Sequence, residues 1–385
     1  MKRLSSEFLL LLEVSQISPS PSKVVKLLKE GVNQTYLLSL AIANGVLPLL
    51  YKELSKYQEI TLIKDFKEKT LEIKNLNFFM SAQLLQITYM LKQKEIQTIP
   101  IKGPLLAQHA YKEIDLRPFS DLDILACEHD LLEISNILLT LGYKNEDELT
   151  SLTHPYILKK FTDTAFVHPD TGVVIELHWK LLKTASAALS DIPTLFKASM
   201  TFPFQNTELN SLPLEEEFLY LCIHASKHRW ERIEWMNDIN YLFEHHQNRY
   251  NWKKLLQMAK NENSLTSYLL GLYILNRLYG RSYKHAPTQR LSQKKKINTL
   301  YMKVMELHSQ DYIMQKKKNG IRWMEVFFSI KLEDSYIKKF HLFTNLIFPL
   351  YKKDILAAPN LPKYLRFSYH LKRLQRLVKK IFSNK

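Results

Sequence analysis

Apolar residues recur at spacings of three, four and seven through the first part of the chain. Leu62, Phe66, Ile73, Leu76, Met80, Leu84, Ile87 and Leu91 mark one face of a long helix, and residues 1–91 read as a helical region. The period then changes. Gln97–Ile101 is a short apolar run that ends in Lys102-Gly103-Pro104, and a helical stretch, Leu105–Tyr111, follows. Phe119–Ala126 alternates as a strand does. A second helix is predicted over about Asp130–Leu141, with Leu131, Ile134, Leu138 and Leu141 on one face and Gly142 at its C′ position. Two more strands are predicted at Thr164–Val167 and Val173–Trp179, joined as a hairpin by the turn residues Pro169-Asp170-Thr171-Gly172. Residues 92–185 therefore form a small α/β module. From Leu214 onward the helical period returns, and residues 186–385 read as a helical region.

Composition narrows the class. Only 8 of 385 residues are glycine, which argues against an all-β fold rich in tight turns. Two cysteines, Cys127 and Cys222, make no disulfide framework and have no metal-ligand spacing, so a reducing, cytoplasmic setting is the expectation. Lys2 and Arg3 precede a leucine run, but Glu7 and Glu13 bracket it and no small-residue cleavage site follows, so it does not read as a secretory signal. No stretch offers the roughly 18 uninterrupted apolar residues of a membrane span. The formal net charge of +16 is concentrated: from about residue 281 the tail holds 24 Lys and Arg against 6 Asp and Glu. Such a tail is a footprint for a polyanion, RNA or an acidic protein, or simply a solvated lysine-rich helical surface. An amphipathic helix over Leu361–Ile381 is expected to pack its apolar stripe on the preceding helices.

The chemistry is concentrated in the α/β module. On a strand, Asp121 and Asp123 point the same way, while Leu122 and Ile124 enter a core. Two carboxylates on one face repel unless a cation sits between them, and oxygen donors suit Mg²⁺ or Mn²⁺. On Val173–Trp179, Glu176 and His178 share one face and the apolar residues the other, so Glu176 joins the pair if its strand lies alongside. Three carboxylates around a divalent ion suit phosphoryl or nucleotidyl transfer. Lys102 and Gly103 sit after a strand, where a lysine can hold phosphate oxygens and a glycine permits close backbone approach. Arg117 can hold phosphate or pair with a carboxylate. His224 and His228, at i, i+4 on a helix, have a zinc-compatible spacing, but beside Trp230 and Trp235 they read as a packing feature. His228 or Asp238 is expected to line the cleft, and His178 to orient Glu176.

The series Ile101-Lys102-Gly103, Arg117-Pro-Phe-Ser-Asp121-Leu-Asp123-Ile-Leu, Leu141-Gly142-Tyr143 and Ile175-Glu176-Leu177-His178-Trp179 resembles the largely uncharacterised bacterial nucleotidyltransferase family, within the DNA polymerase β-like nucleotidyltransferase superfamily. The resemblance continues through His224-x-x-x-His228-x-Trp230, Arg232-Ile-Glu-Trp235-Met-Asn-Asp238 and Asn251-Trp252, and covers roughly residues 30–280. It implies an α+β fold, a minimal nucleotidyltransferase-type mixed sheet core embedded between helical N- and C-terminal regions. It implies Asp121, Asp123 and Glu176 as the metal-holding catalytic residues, with Lys102, Gly103, Arg117 and Ser120 around the nucleotide phosphates. The superfamily usually has Gly-Ser before the first core helix, where this chain has Lys102-Gly103. The expected reaction moves a nucleoside monophosphate from an NTP, with ATP as the expected donor, to a hydroxyl of a protein, small molecule or RNA, and releases pyrophosphate. The alternative is a module that binds nucleotide or nucleic acid without turnover.

Overall fold

The protein is seen in a computed structural model, which describes all residues except 1–3, 58–60, 146, 148, 183–188, 190, 282–290, 309–322, 337–338, 341, 343–349, 363–364, 366–367 and 370–385. Four short helices open the chain: α1 (Ser6–Val14), α2 (Pro21–Lys29), α3 (Gln34–Ala43) and α4 (Leu47–Leu54). The long helix α5 (Lys64–Gln93) leads into the sheet. Strand β1 (Thr98–Pro100), helix α6 (Gly103–Leu106) with a π turn over Ala107–Tyr111, strand β2 (Asp121–Ala126), helix α7 (Leu131–Thr140), β3 (Lys144–Asn145), α8 (Pro155–Lys160), β4 (Asp163–Val167) and β5 (Val174–His178) follow. Next come α9 (Ile192–Ala198), β6 (Met200–Phe204), β7 (Thr207–Ser211), α10 (Leu214–Lys227), α11 (Ile233–His246), α12 (Trp252–Asn261), α13 (Leu265–Tyr279), α14 (Leu291–Leu307), α15 (Trp323–Leu332) and α16 (Lys352–Leu356).

The fold is α+β, with a mixed five-stranded sheet in the order β1-β2-β5-β4-β3. β2 and β5 are parallel, and the other pairs are antiparallel. The predicted hairpin is β4–β5, turned by the Pro169–Gly172 segment. Alternation sorts the β5 side chains as expected: Ile175, Leu177 and Trp179 are fully buried in the sheet core, and Glu176 and His178 face the other way. α5 and α7 cover the apolar side of the sheet, and Met80, Leu84, Ile87, Leu91, Ile134 and Leu138 fill the space between. Leu76, assigned to the buried face of α5 by its spacing, faces solvent at 46 % exposure; Asn77 takes the buried place instead.

Three strands, β3, β6 and β7, were not legible in the sequence. β3 is only two residues long and pairs with β4. The hairpin β6–β7 lies within the region read as helical. Its apolar residues Phe204 and Leu209 enter the sheet core, and Asn210 Nδ2 donates to the Thr98 carbonyl at 3.3 Å, so it covers the outer edge of β1.

A second core joins the two helical regions. Residues of α1, α3 and α4 share one apolar cluster with α10–α14, centred on large buried side chains such as Trp230, Phe218 and Tyr268. Gly45 makes the approach possible. Its φ is +66°, and a Cβ there would stand 1.7 Å from Glu234 Oε2. Next to it the Asn44 carbonyl accepts the Glu234 amide at 3.1 Å and Asn44 Oδ1 the Ile233 amide at 3.3 Å, so the end of α3 caps the start of α11. At the other side of this core His308 stacks on Phe8, with ring centroids 4.8 Å apart, and its Nε2 lies 2.8 Å from the Trp230 carbonyl. Among the described residues no helix is long and apolar enough to cross a membrane. Most of Leu361–Ile381, the expected amphipathic helix of the tail, lies outside the described residues.

Asn77 is the polar anchor of the sheet core. Its Nδ2 donates to the carbonyls of Ile114 at 2.7 Å and Arg117 at 2.9 Å, and so fixes the loop that delivers Asp121. Asn77→Leu would strand both carbonyls, and a loss of about 2–4 kcal/mol is expected from urea denaturation. His308 gives a pH signature. Burial pushes its pKa down to about 4, outweighing the hydrogen bond to Trp230 and the charge of Glu231. The folded state therefore binds fewer protons than the unfolded one between these limits. The contribution is complete above the unfolded value of about 6.5 and is lost as the pH falls towards 4. At pH 5 the loss is on the order of 2 kcal/mol, and His308→Phe should show a correspondingly shallower fall in stability between pH 7 and 5.

Candidate functional site

The parallel pairing of β2 with β5 sets Asp123 opposite Glu176 and Asp121 opposite Val174. Asp121, Asp123, Glu176 and His178 consequently line one cleft of 880 Å³, together with Lys102, Gly103, Arg117 and Ser120. At its centre is Asp123, a carboxylate only 3 % exposed. His178 Nε2 lies 2.9 Å from Asp123 Oδ1 and 3.3 Å from Glu176 Oε2. Lys102 Nζ lies 3.1 Å from Asp123 Oδ2. Lys102 is delivered by the turn after β1, where Gly103 adopts φ +55° and a Cβ would meet the Asp121 carbonyl at 3.4 Å.

The charges determine the protonation states. Burial alone would raise the Asp123 pKa, but Lys102 and His178 outweigh it and hold the carboxyl well below the usual range, as an anion. Burial would likewise lower Lys102, yet the carboxylates of Asp123 and Asp121 keep the ammonium above its ordinary value. His178 is raised to about 9, its burial outweighed by hydrogen bonding to Asp123 and Glu176. Asp121 is pushed up by burial and by the Asp123 and Glu176 charges, against the pull of Lys102 and Arg117.

Two residues expected at the cleft are bound to one another: Arg117, in its wall, and Asp238, behind it. Arg117 is 4 % exposed and engages Asp238 through two bonds, Nε to Oδ1 at 2.8 Å and Nη2 to Oδ2 at 2.9 Å, with Glu234 Oε1 a further 3.3 Å away. This bidentate pair takes two of the five guanidinium donors and makes Arg117 a carboxylate partner that holds the β1–β2 loop to α11. Asp238 lies behind the cleft wall, bonded by Arg117 and by the Tyr111 hydroxyl at 2.8 Å. His228 does line the cleft. His224 and His228 pack ring on ring at 4.8 Å with Trp235 against both, and no third ligand among the described residues converges on them. Burial, with Lys227 and Lys102 close by, lowers His228 to about 4, so it is neutral at pH 7.

The sequence reading missed the cleft residues Tyr220, Lys227, Arg232 and Glu234. Arg232 pairs with Glu234 at 2.7 Å and lies 5.8 Å above the Trp235 ring. The signal available was the spacing Arg232-x-Glu234-Trp235-x-x-Asp238, in which Glu234 and Asp238 stand one helical turn apart and so face Arg117 together.

An α+β fold built on a mixed sheet, with carboxylates presented side by side from two parallel strands, is consistent with the nucleotidyltransferase class. The chain belongs to the uncharacterised nucleotidyltransferase family, whose sequence model matches residues 30–280. No curated protein matches it. Among solved structures it is similar to a chain of the E. coli MS115-1 CdnC:HORMA-deltaN complex, at 14% identity over 80% of this chain and 98% of that one, with a TM-score of 0.24.

Removing one member of the buried ion cluster leaves the others unpaired. Asp238→Ala is expected to cost about 3–5 kcal/mol, and Arg117→Lys should fall short of wild type because an ammonium cannot replace the two-pronged contact. Denaturant titration of both variants measures this.

Proposed function

We propose that the protein is a metal-dependent nucleotidyltransferase that moves a nucleoside monophosphate from an NTP, ATP being the expected donor, to a hydroxyl acceptor with release of pyrophosphate. The observation that carries this reading is the register of Asp123 against Glu176 on adjacent parallel strands, with Asp121 on the same face of β2 and the same cleft. The donor set fits a hard divalent cation. Asp123 Oδ2 is buried without an aligned hydrogen-bond donor among the described residues, with the Lys102 ammonium as its charge partner, and Glu176 is half-buried at the cleft. Asp121, Asp123 and Glu176 would hold Mg²⁺ or Mn²⁺. When bound, that ion supplies charge neutralisation for the triphosphate and acidifies the attacking hydroxyl.

The remaining residues take complementary parts. Lys102 and His178 hold Asp123 ionised, as a ligand must be. His178 orients Asp123 and Glu176 towards one another. Asp121, pushed up by burial and by the charges of Asp123 and Glu176, is the carboxylate that gains most from a cation placed between them. Lys227 and Arg232, on the helical wall of the cleft, would add positive charge for the phosphates to that of Lys102, and Gly103 and Ser120 line the same cleft. The acceptor is a protein, small molecule or RNA hydroxyl, and the basic tail offers a polyanionic acceptor an electrostatic landing site. A second reading, nucleotide binding without turnover, is favoured by one contact: Lys102 engages the same Asp123 oxygen that the metal would use.

Pyrophosphate release from NTP in the presence of Mg²⁺ separates the two. Asp123→Asn and Glu176→Gln are each expected to reduce release by at least about a hundredfold. Asp123→Asn also leaves Lys102 and His178 without their charge partner and loses stability, whereas Glu176→Gln, at a more exposed position, retains the fold. Pyrophosphate release unchanged in both variants would defeat the three-carboxylate assignment. NTP binding without any release in wild type would favour the second reading.

A further inference from the structure

Helix α5 carries two apolar seams. One is buried against the sheet and α4, through Phe66, Met80, Leu84, Ile87 and Leu91. The other faces solvent. Leu71, Phe78 and Tyr89 are 54%, 53% and 64% exposed, Asn75 and Ala82 are exposed, and Leu85 is half-buried. Positions 71, 75, 78, 82, 85 and 89 alternate steps of four and three, the spacing along which one helix meets another in a coiled-coil seam. Exposing three large apolar side chains in register along a helix is costly in water, and a second helix laid along them relieves it.

We propose that this seam pairs two copies of the chain through an antiparallel α5–α5 contact, with a two-fold axis passing beside residue 80. In that arrangement Leu71 of one copy meets Tyr89 of the other, Asn75 meets Leu85, and Phe78 meets Ala82. The largest ring near the axis falls on the smallest residue of the seam. One step further out Glu68 meets Lys92, so opposite charges close both ends of the contact. Glu68 already pairs within its helix with Lys64 at 2.8 Å, through exposed side chains that can exchange partners. Other arrangements fit less well. A parallel pairing sets Glu68 against Glu68, Lys92 against Lys92 and Ala82 against Ala82, which combines like charges with a gap. An antiparallel slip by one heptad sets Phe78 against Asn75 and Glu68 against Leu85, or in the other direction Phe78 against Tyr89 and Asn75 against Lys92. The register about residue 80 is the one that pairs Phe78 with Ala82 and Glu68 with Lys92 together; its one imperfect layer is Asn75 against Leu85.

The contact is self-complementary, as a two-fold interface must be. A seam of this length, roughly 36 Å, buries on the order of 1,000 Å² in total, the lower edge for a specific interface. The dimer is therefore expected to dissociate in the micromolar range.

Sedimentation of the full chain across that range tests the proposal. Wild type is expected to pass from monomer to dimer as concentration rises. Phe78→Glu, at an exposed site, should remain folded by circular dichroism and be monomeric throughout. Glu68→Lys and Lys92→Glu should each weaken association several-fold, and the double variant Glu68→Lys/Lys92→Glu should restore it. A wild type that stays monomeric throughout, or a dimer indifferent to Phe78→Glu, overturns the proposal. Single charge variants that weaken association without rescue in the double variant overturn the antiparallel register.

Discussion

The arrangement of the sheet turns on one ionised carboxylate held out of water. Asp123 sits in the middle of a central strand, where an uncompensated charge would cost several kcal/mol. Its two oxygens are met by cations from two other segments, Lys102 after β1 and His178 at the end of β5. That requirement ties β1, β2 and β5 together at one end of the sheet. It also gathers the acidic groups at a single cleft, because strand alternation then brings Asp121 and Glu176 to the same face as Asp123. A carboxylate kept anionic in this way is chemically ready to bind a cation, and the same interaction serves the fold and the proposed chemistry.

A second buried charge cluster extends the constraint to the helices. Arg117, Asp238, Glu234 and Arg232 connect the loop before β2 to α11, and Asn44 with Gly45 brings the end of α3 against the same helix. The loop that leads to Asp121 is thus held on one side by Asn77 and on the other by Arg117. Buried ion pairs of this kind contribute little net stability compared with an apolar core, but they penalise every arrangement in which a partner is missing. Their effect is positional: they fix where the helical wall of the cleft stands relative to the carboxylates. Arg232 and Lys227 then belong to the cleft because α10 and α11 are anchored, not because of local sequence.

Sequence determined a good deal. Alternation separates Asp121 and Asp123 from Leu122 and Ile124, and Glu176 and His178 from Ile175 and Leu177, because successive strand side chains must point to opposite faces. The turn chemistry of Pro169–Gly172 gave the β4–β5 hairpin, and helical spacing gave α5 and α7. The order and spacing of the motifs sufficed to indicate the family. Partnership was not legible. Whether β5 lies beside β2, and in which register, depends on long-range pairing that no local pattern encodes, and that register alone sets Glu176 against Asp123. Arg117 offered two readings, phosphate or carboxylate, and the choice fell to Asp238, 121 residues away in the chain. The place expected for Leu76 on the buried face of α5 goes to its neighbour Asn77, whose amide is kept in the core by the two carbonyls it satisfies. Local periodicity fixes which way a side chain points; only the packed chain decides what it meets there, because charges and hydrogen-bond donors are satisfied by whichever groups the tertiary fold brings within reach.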